Sequence, residues 1–146
     1  MKKLLFLAAT SLFLFGSAQA EVVGIVDFDK IVDNYSRVKT VSDEISDKFS
    51  EIQRYTLDKE REYKKLTSPL ERKNFEETVA RELSKKQEAY LKLKERKEAE
   101  IDTSIKAAIK QVAMESKVTT VVEKSVVFFG GVDLTDKVVK LLNTSK

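Results

Sequence analysis

KLTSPLERK, residues 65 to 73, contains the only proline of the chain, and no glycine lies between Gly24 and Gly130. Its reading decides the fold, because the segments on either side are otherwise free of helix breakers. N-terminal to it, Val38, Val41, Ile45, Phe49, Ile52 and Tyr55 step by three and four residues. That spacing marks one apolar stripe on a helix. The stripe thins through Lys59 to Tyr63 and Leu66. C-terminal to it, Phe75, Val79, Leu83, Tyr90, Leu93, Ile101, Ile105, Ala108 and Val112 define a second stripe. Pro69 lacks an amide hydrogen and disfavours helix at Ser68, so the first helix is expected to stop near Thr67. Proline is well suited to the first turn of a new helix, with Thr67 or Ser68 as its cap and Glu71 favourably placed near the positive dipole end.

The segment therefore reads as a stop and a restart. Two helices of roughly 45 Å and roughly 70 Å follow at 1.5 Å per residue. A single kinked rod is the other geometry, but both ends of the charged insertion lead into β-rich patches that need each other. The expectation is an antiparallel helical hairpin over 36–115, an arm whose tip lies near 67–70 and includes Ser68 and Pro69. Gln87 and Lys97 fall at inward positions between Leu83 and Ile101, so the seam should be thin and the arm firmest at its base.

Outward from the arm the period changes. VVGIVDF (22–28) reads as a strand, and DKIVDNY (29–35) as one or two helical turns capped by Asp29. VTTVV (118–122) and SVVFF (125–129) read as two strands of a hairpin turning at Glu123-Lys124, ended by Gly130-Gly131. DLTDKVVKLLN (133–143) reads as a short helix capped by Asp133 or Thr135, with Val138, Val139, Leu141 and Leu142 on its apolar face. The fold class is α+β: a β-rich body from 21–35 and 116–146, with the arm inserted between its halves. That body is small, has no cysteine to cross-link it and leaves strand edges exposed, so it should self-associate. Val23, Ile25, Val26, Phe28, Val121, Val126, Phe128, Val138 and Leu141 are the residues expected to build the oligomerisation body.

Residues 1–20 are set apart from this scheme. Lys2 and Lys3, the apolar run LLFLAATSLFLF and Ala18-Gln19-Ala20 form a secretory signal peptide, cleaved before Glu21. The mature chain would be 126 residues with 25 basic and 24 acidic side chains, after removing 20 residues and two lysines from the 146-residue, 27-cation total. A net charge of +1 on an exported chain excludes a generic nucleic-acid binder. The absence of histidine and cysteine removes the commonest general base, most transition-metal sites and thiol nucleophiles. Its four glycines form neither a P-loop nor a dinucleotide fingerprint. Asp27, Asp29 and Asp33 cluster after the first strand, as caps and solvated acids rather than a cation site. No enzyme, cofactor or metal is expected.

VVGIVDFDKIV (22–32), a long charged helical stretch and VTTVVEKSVVFFGGVDLTDKVVKLLN (118–143) together resemble the OmpH/Skp family of periplasmic chaperones. The resemblance spans essentially the whole mature chain and is sharpest in the C-terminal string. It implies a homotrimer whose strands form a central body, with three helical arms projecting around a cavity. It also implies an ATP-independent holdase of the Gram-negative periplasm that keeps unfolded outer-membrane β-barrel proteins soluble. The chain is less basic than the best-known members. Residues 52–100 hold 14 basic and 11 acidic side chains, and the remainder of the mature chain 11 and 13. Membrane or lipopolysaccharide contact is therefore not carried over.

On the arm, Tyr55, Tyr63, Tyr90 and Leu91 are candidate client contacts, with packing in the seam as the other reading of each tyrosine. Arg72, Lys73, Lys92, Lys94 and Arg96 either attract acidic clients or form a solvated helix face. A coiled-coil scaffold without clients is the competing function, and the β-rich patches at both ends favour the chaperone.

Overall fold

Three short strands are joined in one parallel sheet whose crossover is the arm itself. The computed structural model describes residues 22–144, so the expected signal peptide lies outside the described residues. The order is β1 (Val23–Val26), α1 (Phe28–Asn34), α2 (Ser36–Tyr63), α3 (Pro69–Glu115), β2 (Thr120–Glu123), a 3-10 turn (Lys124–Val126), β3 (Val132–Asp133) and α4 (Thr135–Thr144). β1 is central, pairing with β2 from Val23 opposite Thr120 to Val26 opposite Glu123, and with β3 through Gly24–Val132 and Ile25–Asp133.

This corrects the expected hairpin. β2 ends at Glu123, and Ser125–Phe129 is not a strand; a 3-10 turn and an open loop lead instead to β3. Among the described residues the outer edge of β2 stays open, but the chain leaves β2 in the 3-10 turn and crosses to the far side of β1, so Ser125–Phe129 is used to connect the two outer strands instead of folding back on β2. Gly130 and Gly131 take φ values of +86° and +95°, which turn the chain back to the sheet.

Beneath the sheet lies one core, drawn from β1, α1, the last turns of α3, the segment after α3, and α4. Ile31, Ile105, Leu134 and Val138 are fully buried there, with Val26, Ala108, Val112, Ala113, Val118 and Leu142 around them. Part of α3 that reads as arm in the sequence therefore belongs to the body. It supplies Ile105, Ala108, Val112 and Ala113, so the body is better stocked with apolar surface than its two terminal patches suggest. At Gly24 a Cβ would lie 2.9 Å from both Leu134 Cδ1 and Val118 Cγ1, so the strand can rest on the core only without a side chain there.

Polar side chains fix the joints. α1 is capped by Asp27 rather than Asp29, its Oδ1 accepting from Lys30 N at 3.0 Å. The hydroxyl of Thr135 accepts from Asp27 N at 2.9 Å, tying α4 to the end of β1, while Asp133 Oδ1 accepts from Thr135 N at 2.9 Å. Asn143 bridges the α1–α2 junction, accepting from Ser36 N at 3.0 Å and donating to Asn34 O at 2.8 Å. Val138 and Leu142 are the buried face of α4, with Val139 and Leu141 packed at its margin, as the sequence pattern requires.

α3 ends in a Schellman motif. Lys117 N donates to Met114 O at 3.1 Å and Val118 N to Ala113 O at 2.9 Å, with Lys117 at φ +55° in the position that favours glycine. At the other end of the arm, α2 closes at Tyr63, four residues before the stop read from the sequence, and Ser68 and Pro69 begin α3. The Ser68 hydroxyl makes no capping bond. Arg72 steadies the tip instead, its Nε donating to Leu66 O at 2.9 Å and its guanidinium lying 5.5 Å from the Tyr63 ring centre.

Candidate functional site

The arm is built by the two apolar stripes meeting antiparallel. Glu44 faces Lys97, Phe49 faces Tyr90, Tyr55 faces Glu82, and Tyr63 faces Phe75. Between Ser36 and Glu100 only Val41 and Ile52 are buried. The reason lies in the stripe itself, where cations replace apolar residues. Lys59 sits 5.6 Å from the Tyr55 ring centre and 5.8 Å from that of Phe75, and Lys86 sits 4.9 Å from Tyr55. Lys97 turns inward, 13 % exposed, as expected; Gln87 does not, and its neighbour Lys86 takes the inward place. Such a seam holds two helices together through cation–π and ion-pair contacts rather than a dry core.

The two flanks of this seam differ. One carries polar locks: Lys97 pairs with Glu44, which Arg37 also approaches at 3.8 Å, and the Tyr55 hydroxyl donates to Glu82. The hydrogen bond from Lys97 holds the Glu44 carboxyl below its ordinary range, and Arg37 and Arg96 act in the same direction. Burial pushes the Tyr55 phenol up to about 12, with the Glu82 bond adding to it. A cavity of about 920 Å³ with mixed lining opens towards the body on this side, between Arg37, Thr40, Arg96 and Asn143 and the apolar Ile101 and Leu142. Its two guanidiniums already face Glu44 and Glu100 at 3.8 and 3.9 Å, so the cavity has little free positive charge.

The other flank is apolar and carries two cavities. At the base is a trough of about 450 Å³ lined chiefly by Phe28, Val32, Val38, Ile45, Tyr90 and Ile101. Towards the tip is a cleft of about 350 Å³ between Tyr63, Phe75, Val79 and Leu83, with Lys59 and Glu76 at its rim. Val38, Ile45, Thr56 and Tyr63 are separated by 7, 11 and 7 residues, which is about two, three and two helical turns. On α3, Val79, Leu83, Tyr90 and Ile101 are separated by 4, 7 and 11 residues, about one, two and three turns. Both cavities therefore open on one face of the arm. Between them the tilted Phe49–Tyr90 pair, ring centres 5.8 Å apart, leaves Phe49 half exposed.

The candidate client residues divide accordingly. Tyr55 is engaged by Glu82, Lys59 and Lys86 on the polar flank. Tyr63 packs on Phe75 and under Arg72, and Tyr90 on Phe49, so both line the apolar face while belonging to the seam. Leu91 stands apart, 60 % exposed. Phe28, Val38, Ile45 and Phe75 were not singled out as contact residues. The sequence shows them as stripe or body positions, and only the packing reveals that they border open cavities.

The nine body residues also separate. Val26 and Val138 are buried in the core of the chain itself, while Ile25, Val121 and Leu141 are half-buried. Val23 and Phe28 are partly exposed, and Val126 and Phe128 are 75 % and fully exposed, beside an equally bare Phe129. Among the described residues no acidic or cysteine cluster could hold a metal ion, and no helix is long and apolar enough to cross a membrane.

The family model described as outer membrane protein (OmpH-like) matches residues 22–142, almost the whole of the described chain. No curated protein matches it.

Proposed function

Starting from the fact that this chain belongs to the OmpH-like family, we propose that it is a periplasmic, ATP-independent holdase for unfolded outer-membrane β-barrel proteins. The observation that carries this reading is the apolar flank of the arm, where two open cavities and a half-exposed Phe49 line one side of a hairpin that has almost no core of its own. A holdase needs weak, plural and sequence-tolerant contacts. Each large apolar side chain seated on that face contributes roughly 1–2 kcal/mol, and several together give avidity while each still dissociates quickly.

Self-association into a homotrimer belongs to the same proposal. Val126, Phe128 and Phe129 project from a loop that finds no strand partner among the described residues, although Ser125–Phe129 has strong β propensity. Two adjacent bare phenylalanines are costly in water and are readily covered by a neighbouring copy, in which the run can complete a strand. Copies joined there would carry their arms around a shared space.

Dilution of a urea-unfolded porin into buffer with and without the mature protein tests the reading. Suppressed light scattering at stoichiometric trimer supports the holdase. Unchanged aggregation assigns the arm to a structural spacer.

A further inference from the structure

Taking the holdase reading as given, we infer that the apolar flank of each arm takes one extended client segment of outer-membrane strand length, held by two large apolar side chains about eight residues apart. One side chain seats in the base trough and the other in the tip cleft.

The spacing carries the argument. The trough is centred near Ser42 and the cleft near Glu60, each a lining residue of its cavity. Eighteen helical residues separate these positions, a span of about 27 Å at 1.5 Å per residue. An extended chain covers that distance in about eight residues at 3.3 Å each. Outer-membrane barrel strands are about 9–11 residues long and alternate apolar and polar side chains. Positions eight apart on such a strand point to the same side, so one strand presents apolar anchors to both cavities at once. The intervening even-numbered side chains pass over Phe49, and the odd-numbered polar ones face water.

The tip rim fits the same occupant, while the base trough carries Lys94 against Glu98 and Asp102. Lys59, Lys64, Glu60 and Glu76 border the tip cleft with both signs of charge, so a neutral polar backbone meets no net field there. A helical ligand would need an apolar stripe at every third and fourth residue, which a period-two barrel sequence does not supply.

The test uses the mature protein and labelled peptides of eleven residues, read by fluorescence anisotropy. One peptide carries phenylalanine at positions 2 and 10 in a Ser/Thr/Asn background; the control carries the same residues at positions 2 and 6. Ser42→Trp and Ala80→Trp fill the trough and the cleft from exposed lining positions, and circular dichroism checks that both variants fold. The expected result is binding of the wide-spaced peptide about tenfold tighter than the control, an advantage that either filling substitution removes. Equal affinities, or an advantage that survives both substitutions, would overturn the inference. An altered native mass of both variants with unchanged peptide binding would assign the cavities to a second copy and overturn it too. Porin aggregation assayed with the same preparations separates the two readings. A wild-type protein that protects porin without a spacing preference loses only this inference, whereas a spacing preference without protection leaves the docking surface and removes the holdase.

Discussion

Tyr55 donates its phenolic hydrogen to the Glu82 carboxylate across the arm, joining α2 to α3 where Ile52 is the one buried side chain nearby. The bond sits between Lys59 and Lys86, both directed at the Tyr55 ring, so one tyrosine gathers a carboxylate and two ammonium groups. This cluster replaces the leucine layer of an ordinary helical hairpin.

Its first consequence is alkaline sensitivity. Tyr55 ionises at about 12 in the folded chain against 10.0 for a free phenol. Below pH 10 the contribution is complete, and it is lost as pH rises towards 12, because the unfolded chain releases the proton first. Spectrophotometric titration should show Tyr55 as a late phenol, beside a Tyr63 also raised by its bond to Glu76, and Glu82→Gln should bring Tyr55 down in part, since burial supplies the rest. Tyr55→Phe should destabilise the arm by about 0.5–1.5 kcal/mol, read from thermal or urea melts.

Acid acts on the neighbouring lock. Glu44 titrates below an ordinary glutamate, chiefly through its bond to Lys97, so its contribution is complete above the usual carboxylate range and fades as pH falls through its lowered value. Lys97→Leu places an apolar side chain in a 13 % exposed seam position and leaves Glu44 free to rehydrate. That variant should melt a few degrees higher and lose part of its acid sensitivity, whereas Lys97→Glu should melt lower. Calorimetry at pH 4 and pH 7 reads both.

Lys117 holds a left-handed backbone conformation at φ +55° in the Schellman turn that ends α3. Lys117→Gly removes the Cβ conflict and should stabilise the body by about 0.5–1 kcal/mol despite the greater freedom of the unfolded chain. A urea midpoint that falls would show the turn to be stabilised by the lysine side chain.

Gly24 meets the opposite constraint. Gly24→Val adds a branched side chain where even a Cβ is 2.9 Å from Leu134 and Val118. The expected cost is about 1–3 kcal/mol, concentrated in the body and read as a lower melting temperature.

Phe128→Asp with Phe129→Asp alters two side chains that touch nothing in their own protomer's core. On the proposal that copies join at this loop, the substitution should leave the chain's secondary structure intact and reduce the native mass to that of a single chain, as read by sedimentation. An unchanged multimer would place the contact between copies elsewhere on the body.

How far the sequence reaches can be judged element by element. The hairpin, its tip near Pro69, the apolar face of α4 and the thin seam are all local or periodic signals, and each is legible. Proline ends one helix and opens another by its own geometry, whatever surrounds it. The stripe from Val38 to Tyr63 is a statement about 3.6-residue periodicity and needs no partner to be read. Lys97 at an inward position was likewise visible, because the period places it there.

What the tertiary structure alone decided is pairing and facing. Ser125–Phe129 has the composition of a strand, but the chain uses it to cross from β2 on one side of β1 to β3 on the other. Propensity describes a residue's fit to a pleated surface, while the path of the chain decides which runs pair and which connect. Ile105, Ala108 and Val112 continue the stripe of the arm without interruption, and only the arrival of α1 and α4 makes them core. The division of the arm into a locked flank and an open one depends on how two helices rotate against each other. Periodicity fixes which residues share a side of one helix; the crossing of two helices fixes which side stays uncovered.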